Sequence, residues 1–214
     1  MNRLPIFLAI AVLSAFSTGC ANPAKDAPKA IVGQPAAQVV QAPASKVVTV
    51  NLDPTNTSIG FVGSKVTGNH EGSFSRFKGT MKITDGKRDT ASTFIEIDMD
   101  SLVIEPEKLA EHLKSADFFD VATFPKAVYK SGSMLTGAPP APATDLVQGD
   151  LTLKGVNKGL SFPATIMITA SRVMASAKFS INRKDFGLVY PGMPDDLIRD
   201  EVLIKLKVDA PVNP

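Results

Sequence analysis

Apolar and polar residues alternate along most of this chain, with the two-residue period of strands that bury one face and wet the other. Val48, Val50 and Leu52 alternate with Thr49 and Asn51; Pro54 interrupts, and Ile59 and Phe61 resume the pattern. Gly68 to Gly72 reads as a turn around His70. Phe74, Phe77, Met81 and Ile83 then alternate less strictly up to a hairpin signal at Asp85-Gly86. The clearest stretch sets Ile95, Ile97 and Met99 against Glu96, Asp98 and Asp100. A strand around Ala127 to Met134 follows, and Leu135 to Asp145, with Gly137, Pro139, Pro140 and Pro142, reads as an exposed hairpin tip. Leu151 and Leu153 precede a turn predicted over Gly155 to Gly159. Phe162, Ala164, Ile166 and Ile168 then share a face, as do Val173, Ala175, Ala177, Phe179 and Ile181, opposed by Ser176, Lys178 and Ser180. The last strand places Val202, Ile204, Leu206 and Val208 inward and Lys205 and Lys207 outward.

One segment breaks this period. Pro106 can open a helix, since its missing N–H is one the first turn leaves unpaired. Leu109, Leu113 and Ala116 recur at helical spacing, and Asp117 ends the run. Phe118, Phe119 and Phe124 crowd in behind it. A short helix with an aromatic foot among strands reads as a lid or plug on a curled sheet. About eight strands at hairpin spacing, with no βαβ rhythm, predict an all-β protein, either a closed antiparallel barrel or a sandwich. A ring of eight strands either fills with its own side chains or holds one small ligand. Here Ala164, Ala175 and Ala177 are small, and the chain has no Trp. A guest in such an apolar interior is a hydrocarbon chain rather than a sugar or nucleotide.

The ends of the chain differ in character. Arg3, the apolar run Ile6 to Phe16 and the small residues Ser17-Thr18-Gly19 make residues 1–19 a secretory signal peptide. Cys20 follows, the single cysteine, at the position where bacterial lipoproteins are acylated; that similarity implies a lipid attachment at Cys20. Ala21 behind it favours the outer membrane, facing the periplasm. Residues 20–45, rich in Ala and Pro, read as a lipid-anchored tether, which leaves 46–214 as one domain. That domain carries 20 basic and 20 acidic residues, so no positive field collects nucleic acid.

The motifs of catalysis are missing from the pattern. His70 and His112 are the only histidines, and no HExxH or CxxC spacing offers a metal site. No Gly-x-Ser-x-Gly elbow occurs. Asp195-Asp196 and Asp200-Glu201 form the one acid-rich loop, beside Gly187, Tyr190, Pro191 and Gly192, and read as solvated turn residues at a mouth.

Three stretches together carry a resemblance. They are His112-Leu113-Lys114-Ser115 with Asp117-Phe118-Phe119-Asp120 and Phe124-Pro125-Lys126-Ala127, then Gly149 to Val156, then Phe179 to Leu188. With Asp53, Ser58-Ile59, Phe61, Gly72-Ser73-Phe74 and Phe77-Lys78-Gly79, they make the chain resemble the YceI-like family of bacterial secreted and periplasmic proteins from about Val47 to Val212. The resemblance implies an extended, lipocalin-like antiparallel barrel of eight strands with one short α-helix. It also implies a polyisoprenoid or similar amphiphile inside the barrel, and no catalytic activity. Asn157 and Gly159, and Leu109-Ala110-Glu111, depart from the usual family residues.

Alternation then points Ile97, Met99, Phe162, Ile166, Phe179 and Ile181 into the barrel and sets Phe118, Phe119 and Phe124 near the helix end, as the expected ligand wall. The expected function is an envelope lipoprotein that binds or carries a polyisoprenoid, quinone or similar amphiphile without cofactor or metal. The alternatives are a packed-barrel interaction module and an enzyme acting on a lipid head group. Cys20→Ser is expected to shift the protein from the membrane pellet to the soluble fraction on cell fractionation.

Overall fold

The computed structural model describes residues 22–34, 46–136 and 142–212. The expected signal peptide, Cys20 and the tip of the Pro-rich hairpin lie outside the described residues. The strands run in order as β1 (Ile31–Gly33), β2 (Val47–Leu52), β3 (Thr57–Ser64), β4 (Asn69–Phe74), β5 (Phe77–Thr84), β6 (Ser92–Asp98) and β7 (Leu102–Ile104). After the helix α1 (Glu107–Lys114) come β8 (Lys126–Thr136), β9 (Asp145–Leu153), β10 (Val156–Ile168) and β11 (Arg172–Asn182). The short β12 (Gly192–Met193) and β13 (Asp196–Leu197) precede β14 (Glu201–Pro211).

One antiparallel sheet takes the path β2-β5-β6-β8-β9-β10-β11-β14-β3-β4-β7. Its two halves meet because β2 and β3 act as one strand kinked at Asp53–Asn56, where the amides of Asn56 and Thr57 both donate to the Asp53 carbonyl. β2 pairs with β5, and β3 pairs with β14. Counted that way, eight strands circle the interior, the number the resemblance implies. β4 and β7 extend the wall beyond the ring.

Several boundaries differ from the pattern, each for a local reason. His70 lies within β4, because the turn sits earlier and is closed by the Lys65 amide on the Gly68 carbonyl at 2.7 Å. The turn expected over Gly155 to Gly159 tightens to Lys154-Gly155, both at positive φ (49° and 74°), which suits the twist of a two-residue hairpin. β6 stops at Asp98, whose carboxylate accepts the Asp100 amide and starts a 3₁₀ turn. α1 ends at Lys114, earlier than Asp117, and Ala116 is exposed.

The tether departs furthest from expectation. Of residues 20–45, the described part, 22–34, is packed on the barrel. β10 pairs with β9 from Val156 to Ala164 but with β11 only from Thr165 to Ile168, so β10 and β11 part toward the helix end. The N-terminal segment fills the seam: Ile31, Val32 and Gly33 pair with Ser161, Leu160 and Gly159. On the other side the Ala30 amide donates to the Ser180 carbonyl at 2.8 Å, and the Ser180 amide donates to Pro28 at 2.9 Å. Ala30 and Val32 pack on the main core. A side chain at Gly159 would collide with the Gln34 carbonyl, so the close approach requires glycine there. Ser180, expected to face water, is buried beside Leu203, its register neighbour, where Ala24 covers the outer face.

The end remote from α1 is shut. Asp145 is fully buried, and its carboxylate meets Arg88 Nη1 at 3.3 Å and accepts from the Thr144 hydroxyl. The same guanidinium nitrogen donates to the Ile166 carbonyl at 3.0 Å. Asp145 therefore pins that end rather than decorating an exposed tip. Asp145→Ala strands the Arg88 contact and is expected to cost about 2 kcal/mol in urea-unfolding free energy.

Candidate functional site

The inward side chains do not meet across the ring. They enclose a cavity of about 720 Å³ that runs from Met134 and Ile166 near the shut end to His70, His112, Tyr190 and Met193 at the other. Lining residues Val202 to Val208 on β14 alone span about 20 Å of wall at the usual strand rise. Ala164, Ala175 and Ala177, all on the wall, leave the room that larger side chains would take. Ile95, Ile97, Leu151, Leu153, Ile204 and Leu206 point inward yet are only half-buried, because they border open space rather than one another.

Eight of the nine expected wall residues line this cavity: Ile97, Met99, Phe118, Phe119, Phe162, Ile166, Phe179 and Ile181. Phe162 and Phe179 stack with centroids 4.1 Å apart and planes 13° from parallel, bridging β10 and β11 where the strands part. Phe124 is the exception. It folds back under the aromatic foot and packs against the Lys154-Gly155 turn, its Cε1 2.6 Å from where a Cβ of Gly155 would stand. The cavity is out of its reach.

Tyr129 was not singled out by alternation, though it sits in register between Ile95 and Leu151. Its ring lines the cavity, while its hydroxyl is tucked into the wall beside Gly149. Burial pushes that phenol well above its ordinary range, so it stays neutral. The signal that could have found it is the two-residue step from Ala127.

The open end is built from α1 and the loop between β11 and β14. Leu109, Leu113 and Phe119 pack against Phe61, Leu102 and Ile104. His112 sets its ring edge-on to Phe118 and to Tyr190, both at 5.0 Å, with Nε2 3.1 Å from Asp117. His112 thus ties the helix to its foot and to the mouth loop. His70 Nδ1 lies 2.9 Å from the Glu105 carbonyl.

Arg183, buried at 3% exposure, staples the loop. Its guanidinium donates to the carbonyls of Leu188, Arg199 (3.1 Å) and Ile198 (3.4 Å) and meets Asp200 at 3.3 Å. Burial lowers its pKa from the ordinary value, against the opposing pull of Asp200. Three of the four acids, Asp196, Asp200 and Glu201, are engaged in ion pairs, while Asp195 is exposed. Asp196 pairs with Lys65 at 2.6 Å and accepts the Thr67 amide, Asp200 also meets Lys184 at 2.8 Å, and Glu201 lies 3.7 Å from Lys29. Hydrogen bonding from Lys65 holds the Asp196 carboxyl below the usual carboxylate range, the reverse of what a general acid needs. Among the described residues no group of three His, Cys, Asp or Glu could hold a metal ion.

An antiparallel ring with an apolar hollow, shut at one end and ringed by loops at the other, is a lipocalin-like barrel. The chain belongs to the YceI-like domain family, whose model matches residues 51–210. It is 32% identical over 128 residues to a UPF0312 protein of Pseudomonas fluorescens (strain SBW25) and 31% identical over 128 residues to one of Pseudomonas putida (strain W619). Each match covers 56% of this chain and 65% of the relative. In fold it is similar to BcnA of Burkholderia cenocepacia (TM-score 0.61, 23% identity, 74% of this chain and 99% of that one). It is also similar to a polyisoprenoid-binding domain of Saccharophagus degradans (TM-score 0.61, 18% identity, 78% and 100%).

Lysine cannot reproduce the planar fork with which Arg183 holds three carbonyls. Arg183→Lys is expected to lower stability by about 2 kcal/mol and to make residues 187–200 the first segment cut in limited proteolysis.

Proposed function

We infer that this protein binds a long apolar chain, a polyisoprenoid or an isoprenoid quinone, inside the barrel and carries it in the bacterial envelope. The observation that carries this reading is the hollow itself, some 720 Å³ walled almost wholly by aliphatic and aromatic side chains. A cavity of that size suits one ligand of this class. Burying apolar ligand surface contributes about 25 cal/mol per Å², so a few hundred Å² of chain offsets the cost of association. The ring with its own interior filled, as an interaction module would have it, is less consistent with this wall.

Polarity along the wall gives the ligand a direction. Lys65, His70, His112, Arg183, Tyr190 and Asp196 stand at the mouth, whereas farther down, among the described residues, Thr93 is the one inward hydroxyl side chain apart from the tucked Tyr129. A chain with one polar end enters tail first and leaves its head among the mouth residues, where a polar group need not be stripped of partners. The Saccharophagus relative is a polyisoprenoid-binding domain, which supports the class of ligand. Acylation at Cys20 and delivery to the outer membrane, facing the periplasm, complete the reading, in which no catalytic step is required.

The test is organic extraction of the purified protein followed by mass spectrometry, with uptake of an added polyprenyl alcohol measured in parallel. A co-purifying isoprenoid, or saturable uptake at one per barrel, is expected. Ala177→Phe places a ring in the hollow and is expected to reduce uptake at least about tenfold while the barrel stays folded. No extractable lipid together with no uptake by the wild type would sink the reading.

A further inference from the structure

The rim of the open end is apolar in a way the rest of the surface is not. Nine large apolar side chains are exposed among the described residues, and four of them, Val66 (54%), Val189 (63%), Met193 (61%) and Leu197 (49%), stand in the two loops that frame the mouth. The others, such as Val103, Met167 and Val47, are spread singly over different strands. The two loops form one surface. The hairpin of β12 and β13 pairs Gly192 with Leu197, the Val66 amide donates to the Leu197 carbonyl at 3.2 Å, and Lys65 bridges to Ile198. Arg183 holds the same hairpin from beneath through the Ile198 carbonyl. These apolar tips are therefore presented on a fixed frame.

We propose that this rim seats the barrel on the surface of a lipid bilayer, mouth against the membrane, so that ligand passes between bilayer and cavity without crossing water. The proposal rests on the lipid-binding reading above and adds to it the surface through which ligand arrives. Two further observations choose a bilayer as the occupant. The rim borders the opening of a cavity with apolar walls, with Met193 both on the rim and on the wall, so that seating it on lipid makes one continuous apolar path. The described N-terminal segment also begins at this end. Ala24 is buried against Val62 on β3 and Leu203 on β14, each two residues from the mouth end of its strand. That is about 7 Å below the rim at the strand rise. Only Ala21 separates Asn22 from Cys20, so an acyl group on Cys20 would enter the same membrane that the rim touches.

Charge sets the mode of contact. Lys65 is paired with Asp196, Lys184 with Asp200 and Lys205 with Glu71, and Asp195 at the hairpin tip is exposed. Among the described residues the two rim loops carry Lys65, paired with Asp196, and the half-buried Arg199, so these tips present no basic cluster to anionic lipid. Seating is shallow and apolar, with Asp195 kept at head-group level, and it is insensitive to salt.

The experiment uses the full chain carrying Cys20→Ser, which removes the acyl anchor, and flotation with phosphatidylcholine vesicles. The rim variant V66S/V189S/L197S changes three exposed residues that do not line the cavity. The expected result is vesicle binding by the parent and about a tenfold lower bound fraction for the rim variant, equal at low and high salt. Uptake of a polyprenyl alcohol from detergent should be the same for both. A second variant, Val189→Trp, is expected to raise vesicle binding, since an indole favours the interface. Equal flotation of parent and rim variant overturns the proposal, as does a parent dimer that the rim variant converts to monomer, which would assign the patch to a second copy of the chain. Rim-dependent flotation without isoprenoid uptake overturns the cavity reading alone; uptake without rim-dependent flotation overturns the docking alone.

Discussion

Closing eight strands around residues too small to fill the middle is the constraint on which the rest of this structure depends. A packed interior gives each inward side chain partners on every side, and much of a domain's stability comes from those contacts. Here Ile97, Leu151, Ile204 and Leu206 border open space and gain only part of that burial. The hollow is therefore held open by its frame. Backbone ladders run around the ring, with β11 and β14 paired residue by residue from Arg172–Pro211 to Asn182–Glu201. The two ends are each secured by an arginine–aspartate contact with one buried partner, Asp145 held by Arg88 at the shut end and Arg183 held by the loop carbonyls and Asp200 at the mouth. Both sites place charge where an aliphatic residue would pack, beside Ala91 and Phe186 of the main core.

The seam between β10 and β11 follows from the same geometry. Strands that diverge would leave two open edges and a slit into the hollow, each with unpaired amides and carbonyls. The N-terminal segment removes both faults by pairing with β10 on one side and Ser180 on the other. Phe162 and Phe179, stacked across the parting strands, support it from within. A stretch of low-complexity sequence thus becomes a stave of the barrel.

What the sequence made legible, and what it hid, divides along this line. Wherever a residue faces either the hollow or water, a period of two reports the choice; Ile97, Phe162, Ile166, Phe179 and Ile181 were placed by that rule, and all stand on the cavity wall. The rule fails where a third layer covers the outer face. Ser180 lies on the outward side of β11 yet is buried, beside its register neighbour Leu203, on which Ala24 packs, and no local pattern in residues 22–34 announces that contact. It fails again for charged groups drawn inside by partners distant in sequence: Arg88 and Asp145 are 57 residues apart, and Arg183 satisfies carbonyls 5 to 16 residues away. Phe124 failed for another reason. Its neighbours Phe118 and Phe119 do reach the mouth, but Asp120, at φ 48°, turns the chain, and Phe124 drops onto the Gly155 hairpin.

The two ends of the hollow differ in what they ask of a guest. At the shut end the Asp145 carboxylate is already held by Arg88 and Thr144, and the nearby wall consists of Met134, Val147, Ala164 and Ile166. A polar head driven to that depth would lose its water and face an aliphatic wall that Asp145 does not join, a cost of several kcal/mol on the order of an unmade buried hydrogen bond. At the mouth, His70, His112, Tyr190 and the Lys65–Asp196 pair stand within reach of solvent. On the proposed reading, depth therefore selects for tail length and apolarity, and the rim for the head group. Of the family departures, Gly159 stands at the seam and Leu109-Ala110-Glu111 falls on α1 at the mouth, beside the residues that a head group would meet on the proposed reading.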